Sequence, residues 1–366
     1  MFNSVYKNKK VLVTGHTGFK GTWLTLWLQN LGADVTGYAL APYTDRSLFE
    51  QTELATSIHH YIGDIRDSET FSKLFDELKP DFVFHLAAQA IVSESIADPL
   101  TTYTTNVIGT LNVLEAIRKA KHFVTAVIIT SDKCYENVEW EYGYREVDKL
   151  GGKDPYSASK AGAELVFSSH FRTYLSSLPN IKIASARAGN VIGGGDWSRD
   201  RIVPDMMMAW GSNELSKVRS PNATRPWQHV LEPLSGYLRI GQLLAEGMDE
   251  INGESFNIGP TSEVDLTVIE LVRRMIAIWD GKDFELVPSK LNQKEASLLK
   301  LCCDKAQRSL KWKPTLDLDE TLEFTVGWYK NFFGSNASKF RDFTLSQIYA
   351  YESKANERNR SFASRV

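Results

Sequence analysis

Val11-Leu12-Val13-Thr14-Gly15-His16-Thr17-Gly18-Phe19-Lys20-Gly21 passes from a short apolar run through three glycines into a helical pattern. Glycines at such spacing answer three needs. The first allows a tight turn, the second lets backbone approach a pyrophosphate, and the third lets a helix pack on a strand. The helix N-terminus then offers N–H donors to the phosphates. Three glycines alone are a weak signal. With a strand before, a helix after and a series of further strand–helix units behind, they predict a dinucleotide site formed by Gly15, His16, Thr17, Gly18, Phe19, Lys20 and Gly21. Lys20 either adds charge near the pyrophosphate or is solvated.

Working outward, short Val-, Ile- and Phe-rich runs alternate with helical patterns, as in a parallel βαβ sheet. The strand candidates are Val11–Thr14, Ala33–Ala39, His59–Gly63, Asp81–Ala88, Val124–Ser131 and Ile181–Arg187, and their composition suits burial on both faces. Helices are predicted near 19–31, 68–78, 104–120 and 157–178. In the first, Leu24, Trp27, Leu28 and Leu31 form a core-facing stripe. Beyond Arg187 the pattern loosens: Gly189–Trp197 reads as loop, Pro204, Pro221 and Pro226 punctuate the next stretch of chain, and helices recur near 233–246, 265–279 and 318–333. The predicted class is α/β, a Rossmann-type doubly wound parallel sheet with a smaller irregular α/β substrate lobe. The expected division is a dinucleotide-binding domain over 1–188, with 229–250 returning to it, a substrate-binding lobe over 189–350, and a frayed polar tail over 351–366.

The bulk numbers set limits. Hydrophobic residues at 43% and charged residues at 24% are ordinary for a globular protein, and 42 basic against 45 acidic residues give a net charge of −3. Neither a general nucleic-acid surface nor a membrane surface is expected from that balance. Cys134, Cys302 and Cys303 are too few for a disulfide framework and read as reduced thiols. The seven histidines show no metal spacing, so no metal site is expected. The chain runs from Met1 into Val11 without a signal-peptide stretch, and no apolar run reaches the roughly 18 residues of a membrane span. A cytoplasmic location is expected.

One feature common in dinucleotide folds is missing. About 20 residues past the glycine loop a carboxylate usually closes the second strand and holds the adenosine ribose. Here the stretch is Gly37-Tyr38-Ala39-Leu40-Ala41-Pro42, and the nearest acid is Asp45. Asp64 and Ile65, after the third strand, are candidates to bracket the adenine. The alternative for Asp64 is a cap on the next helix.

Tyr156-Ser157-Ala158-Ser159-Lys160 places a phenol and an ammonium on one helical face. The ammonium stabilises the phenolate, so the tyrosine can accept a hydroxyl proton as hydride leaves. The same spacing at Tyr6 and Lys10 is accidental, because it precedes the first strand. Tyr156 instead follows the helix-start signal Asp154-Pro155, shortly after a strand ending in Thr130-Ser131. In an open α/β sheet that end of the strand faces the ligand.

The glycine loop, His85-Leu86-Ala87-Ala88-Gln89, Asn106 with Gly109-Thr110, Ser131, Tyr156 and Lys160 together resemble the extended short-chain dehydrogenases/reductases. More narrowly, Gly15–Gly21, Ser47-Leu48-Phe49-Glu50, Thr130-Ser131-Asp132-Lys133-Cys134-Tyr135 and Arg225-Pro226-Trp227-Gln228-His229-Val230 resemble the CDP-glucose 4,6-dehydratases. The likeness runs from roughly residue 8 to 350. It implies NAD as cofactor, CDP-glucose as substrate and a homodimer through the 104–120 and 157–178 helices. It also implies a redox-neutral cycle: oxidation at C4 of the hexose, loss of water across C5 and C6, and return of hydride to C6. Leu86, Ala87, Ala88, Gln89, Asn106, Thr130, Tyr156 and Lys160 would join the glycine loop around the cofactor.

In that chemistry Tyr156 is the base for the C4 hydroxyl, Lys160 its electrostatic partner, and Ser131 a donor to the C4 oxygen. Elimination needs a further acid and base, and Asp132-Lys133 offers two titratable groups that a simple dehydrogenase or epimerase does not need. In the dTDP-glucose dehydratase pattern a Glu follows the Asp. Lys133 replaces it here, and could serve as base only with a depressed pKa. Asn190, Arg201, Arg219 and Arg225 are the candidates for the substrate diphosphate, which guanidinium groups bind bidentately. The alternatives are another nucleotide-sugar epimerase or dehydratase, UDP- or dTDP-linked, and a non-catalytic dinucleotide sensor, which would not need Ser131, Tyr156 and Lys160 together.

Overall fold

The computed structural model describes residues 1–260, 266–288, 298–334 and 339–363. Seven strands form one all-parallel sheet: β1 (Lys10–Thr14), β2 (Asp34–Ala39), β3 (His59–Ile62), β4 (Phe82–His85), β5 (Val124–Ile129), β6 (Ile181–Ala188) and β7 (Ser255–Ile258), in the order β7-β6-β5-β4-β1-β2-β3. The chain reverses direction across the sheet between β1 and β4. In a doubly wound sheet the ligand crevice lies at the carboxyl ends of the strands flanking that switch.

Strand alternation sorts the core onto the two faces. Leu12, Val83, Ala126, Ile128, Ile181 and Ile183 face the helices Ser68–Leu78, Gly109–Lys119 and Pro155–Thr173, through Phe71, Phe75, Val113, Leu114 and Phe167. Val11, Val13, Phe84, Val127, Ala184 and Ala186 face the helices Phe19–Asn30 and Leu231–Ala245, through Trp23, Trp27, Leu234 and Leu238. Both faces of the central strands are therefore covered. β3, at one edge of the sheet, is different: three of its four residues are exposed.

The structure departs from the sequence reading in several places, among them a strand at Val191–Ile192 inside the stretch read as loop and a helix at Ile202–Gly211. β7 was not anticipated, since Ser-Phe-Asn-Ile is short and half polar; it pairs with β6 in the register Asn257↔Arg187. The third predicted helix starts earlier, at Pro99, and passes through a π-helical turn over Thr104–Ile108 before Gly109–Lys119. The described part of the expected frayed tail, through Ala363, is packed. A helix runs over Phe340–Glu357, Tyr351, Ala355, Phe362 and Ala363 are buried, and the Phe362 ring stacks on Phe2 at 5.3 Å. The buried side of that helix packs on the helices Phe19–Asn30 and Leu318–Phe333.

The residues after β6 build a smaller lobe from the helix Ile202–Gly211 and three short strand pairs: Val191–Ile192 with Gln228–His229, Ser216–Val218 with Phe284–Leu286, and Thr224–Arg225 with Leu266–Thr267. Its helices Val268–Trp279 and Leu318–Phe333 each begin in a capping box, Thr267/Glu270 and Asp317/Glu320. The helix Leu231–Ala245 leaves this lobe and packs on β5 and β6. Among the described residues no helix is long and apolar enough to cross a membrane.

Candidate active site

The glycine loop closes β1 and opens the helix Phe19–Asn30. Gly15 adopts φ +76°, and a Cβ there would lie 2.7 Å from the Ala87 nitrogen; one on Gly21 would lie 2.1 Å from the Gly15 oxygen. Only glycine fits either position. At Gly18 a Cβ would meet nothing closer than 3.4 Å, and no side chain caps the helix that starts there. Its first turn also carries no acidic residue. An uncapped helix N-terminus under a glycine turn, clear of negative charge, fits a dinucleotide pyrophosphate. No carboxylate stands at the end of β2. His16, packed over Gly37, instead has its Nε2 2.7 Å from His60 Nδ1, and burial followed by the neighbouring imidazole pulls its pKa to about 3. Thr17 donates to the Leu40 carbonyl at 2.9 Å.

Asp64 is ion-paired with Arg66 at 2.6 Å, and the following helix is capped by Asp67, not Asp64. Ile65 is buried, and its Cγ2 would lie 2.6 Å from a Cβ on Gly109. Leu86 to Gln89 follow β4, and Asn106 holds them. Its Oδ1 accepts from the Gln89 N–H at 2.9 Å, while its Nδ2 donates to the Gln89 carbonyl at 3.0 Å and to Ser159 Oγ at 2.8 Å. The buried Asn106 amide thus ties the loop to the Tyr156–Lys160 helix.

His85, 2% exposed, sits between Thr14 Oγ1 at 2.8 Å and Thr110 Oγ1 at 3.1 Å. Burial, then the Lys160 charge, pulls its pKa from 6.5 to about 3. The folded value lies below the unfolded one, so the stability of the neutral form is complete above pH 6.5 and is lost as pH falls toward 3. His85→Gln removes this titration. Relative to wild type the variant should gain about 1.4 kcal/mol per pH unit of acidification below the unfolded value. Thermal melts at a series of pH values check this, and parallel curves for the two proteins would refute it.

Ser131, Asp132, Tyr156 and Lys160 come together, each under 9% exposed, at the carboxyl end of β5 and the start of the helix Pro155–Thr173. Asp154 caps that helix, accepting from the Ser157 N–H at 2.9 Å, with Pro155 in its first turn. Ser131 Oγ donates to Asp132 Oδ1 at 2.9 Å and accepts from the Lys133 N–H at 3.3 Å. Asp132 Oδ2 lies 3.0 Å from where a Cβ on Gly189 would stand, and Pro226 borders the same spot at 3.8 Å. Glycine at 189 therefore lets the carboxylate reach the Arg225-Pro226 turn.

The electrostatics suit proton transfer. Burial raises the Asp132 pKa against the opposing charges of Lys133, Lys20 and Arg225 and the Ser131 hydroxyl. Burial likewise raises Tyr156, while Ser131 and Arg201 favour its phenolate. Burial draws Lys160 down to about 8. Lys20 is drawn to about 8 by burial and then by the Arg201 charge, with Asp132 and Asp196 opposing. It therefore belongs electrostatically to the acid–base cluster as well as to the glycine loop.

The arginine candidates divide. Arg201 pairs with Asp196 at 3.2 Å, and its charge reaches Tyr156. Arg225 donates to the Thr224 carbonyl at 2.7 Å, and its charge reaches Asp132. Arg219 is committed to Asp200 at 3.6 Å and Asp205 at 3.4 Å. The Asn190 carbonyl accepts from the Gln228 N–H at 3.3 Å. Among the described residues no group of His, Cys, Asp or Glu side chains is arranged to hold a metal ion. Glu164, Arg187 and Gly189 carry no site role in the sequence reading. A carboxylate one helical turn after Lys160 was the available signal for Glu164.

Residues 12–325 match the family model described as GDP-mannose 4,6 dehydratase. The chain is 46% identical over 331 residues to CDP-glucose 4,6-dehydratase from Salmonella typhimurium, covering 89% of this chain and 91% of that one. Its fold is similar to that of dTDP-glucose 4,6-dehydratase from Streptomyces venezuelae, solved with NAD bound, with a TM-score of 0.74 and 25% identity over 88% of this chain and 97% of that one. It is similar also to UDP-glucose 4-epimerase from Thermotoga maritima, with a TM-score of 0.76 and 24% identity over 89% of this chain and 100% of that one.

Proposed function

We propose, from the premise that this chain belongs to the GDP-mannose 4,6 dehydratase family, that it is an NAD-dependent hydro-lyase converting CDP-glucose to CDP-4-dehydro-6-deoxyglucose and water. The observation that carries the reading is the turn Ser131-Asp132-Lys133. It sets a buried carboxyl, its pKa raised by that burial, within reach of the Lys133 charge and of Tyr156. Interconverting C4 epimers requires a base at C4 alone, whereas losing water across C5 and C6 requires a second acid and base.

Tyr156 takes the C4 hydroxyl proton, helped by the Lys160 ammonium on its own helix face and by Ser131 beside the C4 oxygen. Asp132, its pKa raised by burial, is the acid for the departing C6 hydroxyl. Lys133 is the candidate to remove the C5 proton. NAD, when bound, would supply a hydride acceptor and donor, so that the cycle would be redox-neutral. Gly15 to Gly21 would hold its pyrophosphate, and Lys160 its nicotinamide ribose. Arg201 and Arg225 bind the sugar-nucleotide diphosphate from the smaller lobe. A cytoplasmic setting, where nucleotide sugars are made, goes with this reading.

Purified protein incubated separately with CDP-, dTDP- and UDP-glucose tests it. CDP-glucose should yield a product lighter by one water, with deuterium from C4 recovered at C6. A product of unchanged mass would make the protein an epimerase, and a clear preference for dTDP- or UDP-glucose would overturn the cytidine assignment.

The assembly proposed is a homodimer through the 99–119 and 155–173 helices. Leu100, Tyr103, Ile108 and Leu165 stand exposed on them, a surface that an isolated chain would leave to water. Leu100→Glu with Ile108→Glu should then halve the mass in light scattering, to about 41.2 kDa. Wild type already at that mass would exclude the dimer.

A further inference from the structure

Behind the catalytic turn lies a buried ion pair that the acid–base steps do not use. Glu164, 1% exposed, accepts from Arg187, 4% exposed, at 2.7 Å. The carboxylate also accepts from the Thr130 hydroxyl, and from Ser185 Oγ at 3.2 Å and Ser255 Oγ at 3.1 Å. On the other side, Arg187 Nη1 donates to the Tyr135 hydroxyl at 2.7 Å and to the Glu146 carbonyl at 3.1 Å. The Tyr135 hydroxyl in turn donates to Asn257 Oδ1 at 2.7 Å, and Asn257 Nδ2 donates to the Tyr144 carbonyl at 2.7 Å.

Thr130 immediately precedes Ser131, and Tyr135 immediately follows Cys134. The turn bearing Asp132 and Lys133 is thus fastened at both ends to one ion pair. That pair bridges the helix carrying Tyr156 and Lys160 to the end of β6. Stability does not require this arrangement. Desolvating two charges costs as much as their attraction returns, and apolar side chains of equal volume often serve as well or better. Apolar packing cannot, however, fix the directions of two chain segments through hydrogen bonds.

We propose that Glu164, Arg187 and Tyr135 are positioning residues that clamp the 131–134 turn so that Asp132 and Lys133 meet C5 and C6 of the sugar. This rests on the dehydratase reading above. A misplacement of about 1 Å costs on the order of 100-fold in rate, and the loss falls on the step that the displaced groups perform.

Tyr135→Phe removes a single hydroxyl from the clamp, and Arg187→Met removes its charge and donors. Single-turnover quench experiments follow C4 oxidation and water loss separately. Water loss should slow about 10-fold in Tyr135→Phe and about 100-fold in Arg187→Met, with KM and C4 oxidation within about threefold of wild type. Arg187→Lys, which keeps the charge, should restore part of the loss. Hydrogen exchange needs no substrate: the Lys133–Glu136 amides should exchange faster in both variants while the Lys10–Asn30 amides do not change. Oxidation, water loss and thermal stability falling in step would make these residues merely structural and overturn the proposal. So would Lys133–Glu136 exchange unchanged in Tyr135→Phe, whichever nucleotide sugar proves to be the substrate. Failure of wild type on CDP-glucose strikes the functional reading alone.

Discussion

Tyr156→Phe should abolish the first step, leaving the C4 hydroxyl unoxidised. The ring remains, so the packing in this 8% exposed position is kept and the loss is chemical. Burial holds the phenol above its ordinary pKa in the free protein, and Ser131 and Arg201 pull the other way. Lys160, although drawn to about 8 by burial, still carries most of its charge near neutral pH and stands one helical turn further along the same helix. Removing one general base costs about 100- to 10,000-fold. The measurement is single-turnover quench with C4-deuterated CDP-glucose. The expected result is no C4 ketone and no deuterium at C6, with substrate binding retained. Oxidation at near wild-type rate would move the base elsewhere.

Asp132→Asn and Lys133→Met should fail later. Both variants should form the C4 ketone still bearing its C6 hydroxyl and then stall, by a factor of similar size. Asp132→Asn keeps the shape that fits against Gly189 but cannot hand a proton to the leaving hydroxyl. Lys133→Met keeps the stem and removes the amine. Exchange of the C5 proton with solvent separates the two roles, because it should stop in Lys133→Met and persist in Asp132→Asn. Normal dehydration by Lys133→Met would leave Lys133 a structural residue and put the C5 base on another side chain.

The Rossmann-type sheet was legible because its signals are local. Gly21 is dictated by its contact with Gly15 inside one strand–turn–helix unit, and β1, β2, β4, β5 and β6 announce themselves through buried composition, whereas the close approach at Gly15 comes from Ala87 after β4. β7 was not legible, since Ser-Phe-Asn-Ile becomes a strand only through its pairing with β6. The last residues looked like a polar tail for a similar reason: the partners of Tyr351 and Phe362 lie more than 100 residues away, at Glu232 and Phe2.

The site divides along the same line. Tyr156 and Lys160 could be paired from the sequence because a helix fixes neighbours four residues apart, and Ser131 to Lys133 because the end of a parallel strand faces the ligand. What only the tertiary structure decided is how those groups are tuned and held. The carboxyl of Asp132 is raised by its burial in the folded chain, Arg201 and Lys20 reach the cluster from separate segments, and Arg219 is committed to Asp200 and Asp205. Glu164 and Arg187, 23 residues apart, meet because a helix and a strand pack together. Burial and long-range charge belong to the packed molecule, so local sequence spacing singles out the candidate acid–base groups, while the environment that tunes them exists only once the chain has folded.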